Sequence, residues 1–119
     1  MKYREIDGKT VIGIVEPVTL ISKDGSRRTI LAKVDTGASK SSIDINLASE
    51  LRLGPIIKSK LIKSASGNKL RPVIETNIEF AGRMMFEEFT LADRWHMKYP
   101  VLIGQNVLKH GYLIDACKK

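Results

Sequence analysis

Asp35-Thr36-Gly37 is the part of this 119-residue chain best equipped for chemistry. It follows directly on residues 28–34 (RTILAKV), an apolar, β-branched run that reads as a strand. Such a strand would deliver the Asp35 carboxylate to the middle of a barrel. Gly37 permits a tight turn, so that backbone N–H groups can face the carboxylate. Thr36 and Ser39 add hydroxyls to the surrounding network. A carboxylate held in this way can exchange a proton with water. Asp and Gly are also ordinary turn residues, so the context of the motif has to decide its meaning.

Other chemistries find little support. There is no C-x-x-C and no H-E-x-x-H, and Cys117, His96 and His110 with scattered carboxylates make a poor zinc set. Neither G-x-x-x-x-G-K-[ST] nor G-x-G-x-x-G occurs, so ATP and dinucleotides are not expected. No metal and no cofactor is predicted. The two histidines read as surface or loop residues and Cys117 as a spectator.

The elements around Asp35 follow from pattern and punctuation. Residues 10–22 (TVIGIVEPVTLIS) read as a strand, with Pro17 at an edge or bend. Lys23-Asp24-Gly25-Ser26 is a hairpin turn back into 28–34. A helix is predicted over 44–51, with Asp44 as N-cap and Gly54-Pro55 as its stop. Runs 56–64 and 69–80, joined by Ala65-Ser66-Gly67-Asn68, read as a long hairpin. A further strand covers 84–92, and a loop follows over 93–99. In that loop Asp93 and Arg94 could pair and order the chain, or line a cleft. Trp95, with Met84, Met85, Phe86 and Phe89, reads as core. A short strand at 100–103 ends at Gly104, a short helix spans 105–109, and 112–114 can form a last strand. Many short strands separated by turns predict an all-β barrel with one or two small helices.

The order of these parts resembles the retropepsin-like aspartic proteases across roughly residues 10–115. The strand-Asp35-Thr36-Gly37-Ala38-Ser39 element, the hairpin, and the apolar Leu102-Ile103-Gly104 strand opening a helix at Gln105 carry the resemblance. Val34 to Ser42, Arg71-Pro72-Val73-Ile74 and Tyr99 to Leu108 are similar to the RimB-type proteins associated with RimK-like glutamate ligases, historically called ATP-dependent zinc proteases. The sequence departs from the pattern at Gly104-Gln105, where many members have Gly-Arg, and at Ile43-Asp44-Ile45, where members often carry a His.

The resemblance implies a closed retropepsin-like β-barrel spanning 1–119 as one domain. It implies aspartic peptidase chemistry at Asp35, Thr36 and Gly37. That chemistry needs two carboxylates about 3 Å apart sharing one proton. The chain has one Asp-Thr-Gly, so a homodimer is expected, with Asp35 of each protomer at the axis and residues 1–5 and 112–114 at the interface. A monomer would need Asp44 or Asp93 as its second carboxylate. The resemblance also makes 59–74 a flap over the substrate. Leu102, Ile103, Gly104 and Gln105 form the second, structural motif. Ala38, Ser39, Lys60, Lys63, Ser66, Gly67, Asn68, Lys69 and Arg71 are then the expected substrate contacts.

Charge fits this reading. Lys and Arg total 20 against 13 Asp and Glu, a formal net charge of +7, and no acidic residue occurs from Leu51 to Ile74. An acidic peptide or a glutamate tail suits that field, although an exposed hairpin is also commonly Lys-rich for solvation alone. A non-catalytic dimeric barrel that binds peptides remains the alternative. An RNA-binding barrel is disfavoured, because aromatic residues are only 6% and none interleave with the basic run. Apolar residues at 43% argue against disorder, and no run approaches a membrane span. One cysteine and no visible signal peptide suggest the cytoplasm.

Overall fold

The computed structural model describes residues 2–64 and 67–118, so Met1, Ala65, Ser66 and Lys119 lie outside the described residues. The elements in chain order are β1 (Glu5–Ile6), β2 (Lys9–Ile12), β3 (Val15–Ile21), β4 (Arg27–Val34), β5 (Ser41–Asp44), α1 (Ile45–Glu50), β6 (Ile56–Ser64), β7 (Gly67–Phe80), β8 (Arg83–Ala92), β9 (Val101–Ile103), α2 (Gln105–Leu108) and β10 (Tyr112–Ile114). Strands β3-β4-β9-β5-β8-β7 form a ring that closes through β3–β7 pairing. Closure leaves these six strands without a free edge. The all-β closed barrel with two short helices is the fold that the sequence predicts. Among the described residues no helix is long and apolar enough to cross a membrane.

The barrel's strands bury alternate residues. On β3, Glu16, Val18 and Leu20 point in, and on β7 Ile74, Thr76, Ile78 and Phe80 do. The core they enter holds Ile12, Ile43, Phe89, Val101, Ile103 and Val107, all fully enclosed. The Asp24-Gly25 turn joins β3 to β4 as expected: Ser22 N–H donates to the Ser26 carbonyl at 2.9 Å, and Gly25 takes φ +88°. The Asp24 carboxylate accepts from the Ser22 hydroxyl and from Ser26 N–H, which pulls its pKa down to about 2.

Three sequence expectations are corrected. Residues 10–22 are two strands, because the chain turns a corner at Gly13-Ile14. β2 joins β1 and β10 in a separate three-stranded sheet, whereas β3 enters the barrel. Glu16 fixes the corner: its buried carboxylate accepts from Gly13 N–H at 2.6 Å and from Lys118 Nζ at 2.7 Å. Continuous β-propensity hid this break. Second, the run 69–80 begins earlier, since Gly67 and Asn68 already pair with Ser64 and Lys63. Third, Trp95 is 73% exposed, and Met84 and Phe86 also face outward. Only Phe89 of that aromatic and methionine set is fully buried, with Met85 packed against the core. Pro17 sits in the part of β3 that pairs β4 alone, one residue before pairing with β7 begins at Val18.

The small sheet is docked on the barrel through Tyr112 and Arg83. Tyr112 packs edge-on to Phe80 at 5.3 Å and donates its hydroxyl to the Phe80 carbonyl at 2.9 Å. The Arg83 guanidinium lies over the Tyr112 ring and reaches the His110 carbonyl at 2.7 Å and Thr10 Oγ1 at 3.0 Å.

Burial pushes the Tyr112 phenol from its ordinary value of 10 up to about 12, against the opposing charge of Arg83. A raised pKa means that the folded state holds the phenolic proton more tightly than the unfolded one. Its contribution is complete below pH 10 and is lost as pH rises through 12. Alkaline denaturation should show wild type losing stability across that window more steeply than Tyr112→Phe. At Gly104, an added Cβ would stand 2.4 Å from the Lys40 carbonyl oxygen and 2.8 Å from that of Ala38. Gly104→Ala should therefore lower the unfolding free energy by about 1–3 kcal/mol or more, read from the urea midpoint at unchanged slope.

Candidate active site

Asp35 stands at the end of β4, where the parallel β4–β9 ladder runs out. Val34 pairs with Ile103, and Asp35 N–H then donates to the Ile103 carbonyl at 2.9 Å. The chain reverses at once, with Ala38 N–H returning to the Asp35 carbonyl at 3.3 Å. Within this turn Gly37 N–H donates to Asp35 Oδ1 at 2.9 Å. A Cβ at residue 37 would lie 3.3 Å from the same oxygen, so glycine lets the backbone close on the carboxylate. Asp35 itself is half-buried, with a face left to solvent.

The second motif clamps the turn from behind. Gln105 N–H donates to the Ala38 carbonyl at 2.8 Å, and Asn106 N–H to the Ser39 carbonyl at 3.2 Å. The Gln105 side chain donates Nε2–H to the Thr36 carbonyl at 2.7 Å. Three carbonyls of the Asp35 turn are thus held by two consecutive residues of α2. Buried Asn106 extends the clamp: its Oδ1 accepts from Ser41 N–H at 2.9 Å and from Ser41 Oγ at 2.8 Å. Ser41 Oγ in turn accepts from Gly104 N–H at 2.9 Å. The Asn106 amide donates to the Glu88 carbonyl at 2.9 Å and to Glu87, whose other oxygen meets His110 Nε2 at 2.6 Å. The buried side-chain oxygen and nitrogen of Asn106 and the Ser41 hydroxyl all have partners, as burial requires.

The turn opens into a cavity of about 470 Å³ under the β6–β7 hairpin. Its walls include the predicted Gly37, Ala38 and Ser39 on one side and Lys60, Lys63 and Arg71 on the other. Leu102 of the second motif also reaches it. Gly67, Asn68 and Lys69 lie farther along the hairpin and are exposed, and Ser66 falls outside the described residues. Lys40, Ser42, Ile62 and Thr90 line the cavity as well, although the sequence reading did not name them as substrate contacts. Ser42 and Thr90 belong to β5 and β8, a parallel pair that no local pattern at 41–44 revealed.

Asp44 serves the scaffold. Its Oδ2 caps α1 by accepting from Leu47 N–H at 3.2 Å, and its Oδ1 accepts from Arg94 N–H at 2.8 Å. Arg94 orders the 93–99 loop, but through the Tyr99 carbonyl, to which Nε and Nη2 donate at 3.2 and 3.1 Å, and not through Asp93. Burial lowers the Arg94 pKa, and the charge of Arg71 pushes it the same way, while Asp44 and Asp35 oppose them. Glu88 bridges Lys58 of β6 at 3.2 Å and Lys40 at 3.8 Å, linking the hairpin's base to the stretch after the Asp35 turn. Among the described residues no three His, Cys, Asp or Glu side chains gather as a metal site.

Comparisons with known proteins agree with this geometry. A Legionella pneumophila protein of unknown function superposes with a TM-score of 0.64 at 22% identity, over 92% of this chain and 95% of that one. The simian foamy virus protease superposes with a TM-score of 0.52 at 20% identity, over 75% of this chain and 87% of that one. At such identities both likenesses speak for the fold. No curated protein sequence matches the chain. The RimB-like family profile, described as retropepsin-like aspartic endopeptidase RimB, matches residues 44–119, from the cap of α1 through the second motif and β10. The match covers more than half of the chain, and the Asp35 turn just ahead of it is clamped by Gln105 and Asn106 within it. The chain belongs to the RimB-like family of retropepsin-like aspartic endopeptidases.

Proposed function

We propose that the protein is an aspartic peptidase whose catalytic centre is a pair of Asp35 carboxylates, one from each protomer of a homodimer. The observation that carries this reading is the Asp35 turn: a half-buried carboxylate held by Gly37 N–H, in a turn whose Gly37, Ala38 and Ser39 line a cavity shared with the β6–β7 hairpin. Each chain supplies one such turn. Two like charges at close range cannot both ionise, so the pair would share a proton. The ionised member takes a proton from water as its oxygen adds to the scissile carbonyl carbon. The protonated member donates to the carbonyl oxygen. Collapse of the tetrahedral adduct then breaks the C–N bond, and the departing amine takes the proton.

The three-stranded sheet supports dimerisation. β1 and β10 are its two edges, and Ile6 and Leu113 on them are each 37% exposed. Paired edges from a second copy would satisfy their open backbone groups. The substrates we propose are acidic peptides, including glutamate tails of the kind that RimK-like ligases add. Lys60, Lys63 and Arg71 around the cavity, and Lys69 beyond it, supply the complementary field.

Mass-spectrometric cleavage mapping tests the proposal. Wild type and Asp35→Asn would be incubated with a peptide panel that includes oligo-glutamate tails, with and without chelator. The expected result is cleavage that ignores chelator and falls by about 10²–10⁴-fold or more in Asp35→Asn. Cleavage that needs metal and survives Asp35→Asn would overturn the mechanism. Binding of acidic peptides without cleavage would leave a dimeric peptide-binding barrel.

A further inference from the structure

Lys60 of β6 and Arg71 of β7 stand directly opposite each other in the hairpin register. Like charges at facing positions repel, and a hairpin gains nothing from them. Arg71 is also half-buried, and its Nε is buried with no hydrogen-bond partner among the described residues. A dry, unbonded N–H on a charged group is costly to keep.

A third cation joins them. Val73 of β7 pairs with Thr90 of β8, so the register carries Arg71 toward Ala92, where the chain leaves the barrel. Arg94 follows two residues later. Its two bonds to the Tyr99 carbonyl use two of the five N–H groups of a guanidinium and fix the plane of the head group. The electrostatic influence of Arg71 and of Asp35 on Arg94 is in keeping with this closeness. Among the described residues, no ion pair includes Lys60, Arg71 or Arg94. Glu88 is already engaged by Lys40 and Lys58. Lys60 and Arg71 thus line the cavity into which the Asp35 turn opens, and Arg94 stands in the loop that follows β8, and among the described residues none of the three is paired with a carboxylate.

We propose that Arg71 and Arg94, with Lys60 across the hairpin, form a receptor for one side-chain carboxylate of the substrate, at a fixed position beside the scissile bond. The inference rests on the peptidase reading and sharpens it. Exposed Lys63 and Lys69 attract acidic chains diffusely, and salt screens that attraction. Two guanidiniums of which one is fixed in plane instead select a planar, ionised carboxylate by bidentate hydrogen bonds. They would reject the neutral isostere glutamine, which returns an N–H₂ donor to donors.

Peptide pairs differing by Glu→Gln at each position around the cleaved bond test the receptor in wild type, Arg94→Lys, Arg94→Met and Arg71→Met. At one position wild type should favour Glu by roughly 30-fold in kcat/KM, with little loss of preference at raised salt. Arg94→Met and Arg71→Met should erase that preference and bring the Glu peptide down to the Gln peptide. Arg94→Lys keeps the charge and a donor for Tyr99, and should lose most of the preference while melting as wild type does. An undiminished preference in folded Arg71 and Arg94 variants, or no position with such a preference in wild type, overturns the receptor. If wild type cleaves no peptide, the peptidase reading fails on its own. Calorimetric titration with the Glu and Gln peptides then decides the receptor, and equal binding of the two overturns it.

Discussion

Gly104 has room for a hydrogen atom where any other residue would carry a carbon. The carbonyl groups of Ala38 and Lys40 lie against it, because the end of β9 passes through the loop that follows Asp35. That crossing lets two distant segments share hydrogen bonds within a few residues. Ile103 accepts from Asp35 on one side of it, and Gln105 and Asn106 donate to Ala38 and Ser39 on the other. The Asp35 carboxylate is therefore positioned by backbone on both sides, which gives it a fixed direction without a long side-chain network. Rigid support of this kind is what pre-organised catalysis requires.

From the same constraint follows the division of the molecule. In the body of the barrel and in the clamp, buried Asn106, Ser41 and Glu16 each find partners. The hairpin above the cavity is the opposite case. Lys60 faces Arg71, and the Arg71 Nε is left without a bond. Local conflicts of this sort in an otherwise consistent structure concentrate where a protein binds something. Stability resides in the barrel, and the unfavourable charges gather where an acidic substrate would neutralise them.

How much of this was legible in the sequence depends on the range of the interaction. Local signals held: Asp24-Gly25 makes its turn, Asp44 caps α1, and Gly37 closes on Asp35. The closed barrel and the second motif followed from the order of short strands and from the family resemblance. What stayed hidden is long-range. β5 is four residues whose identity as a strand comes from pairing with β8 and β9 and not from its own pattern. The corner at Gly13 is fixed by Glu16, whose buried carboxylate is neutralised by a lysine more than a hundred positions away. Trp95 looked like core because aromatic residues usually are, yet its loop is anchored by Arg94 and leaves the indole outside. Arg94 was named only as a partner of Asp93 or a cleft residue, and its actual bonds, to the Tyr99 carbonyl and to Asp44 fifty positions away, had no signal in the sequence.

The central claim is that one carboxylate per chain becomes active only as a pair. Mixing wild-type and Asp35→Asn protomers at fixed total concentration, with time to exchange subunits, tests it most directly. If both Asp35 side chains are needed, activity falls as the square of the wild-type fraction, so that an equimolar mixture retains about a quarter. A linear fall, with about half of the activity kept in that mixture, would mean that each chain works alone and would contradict the account.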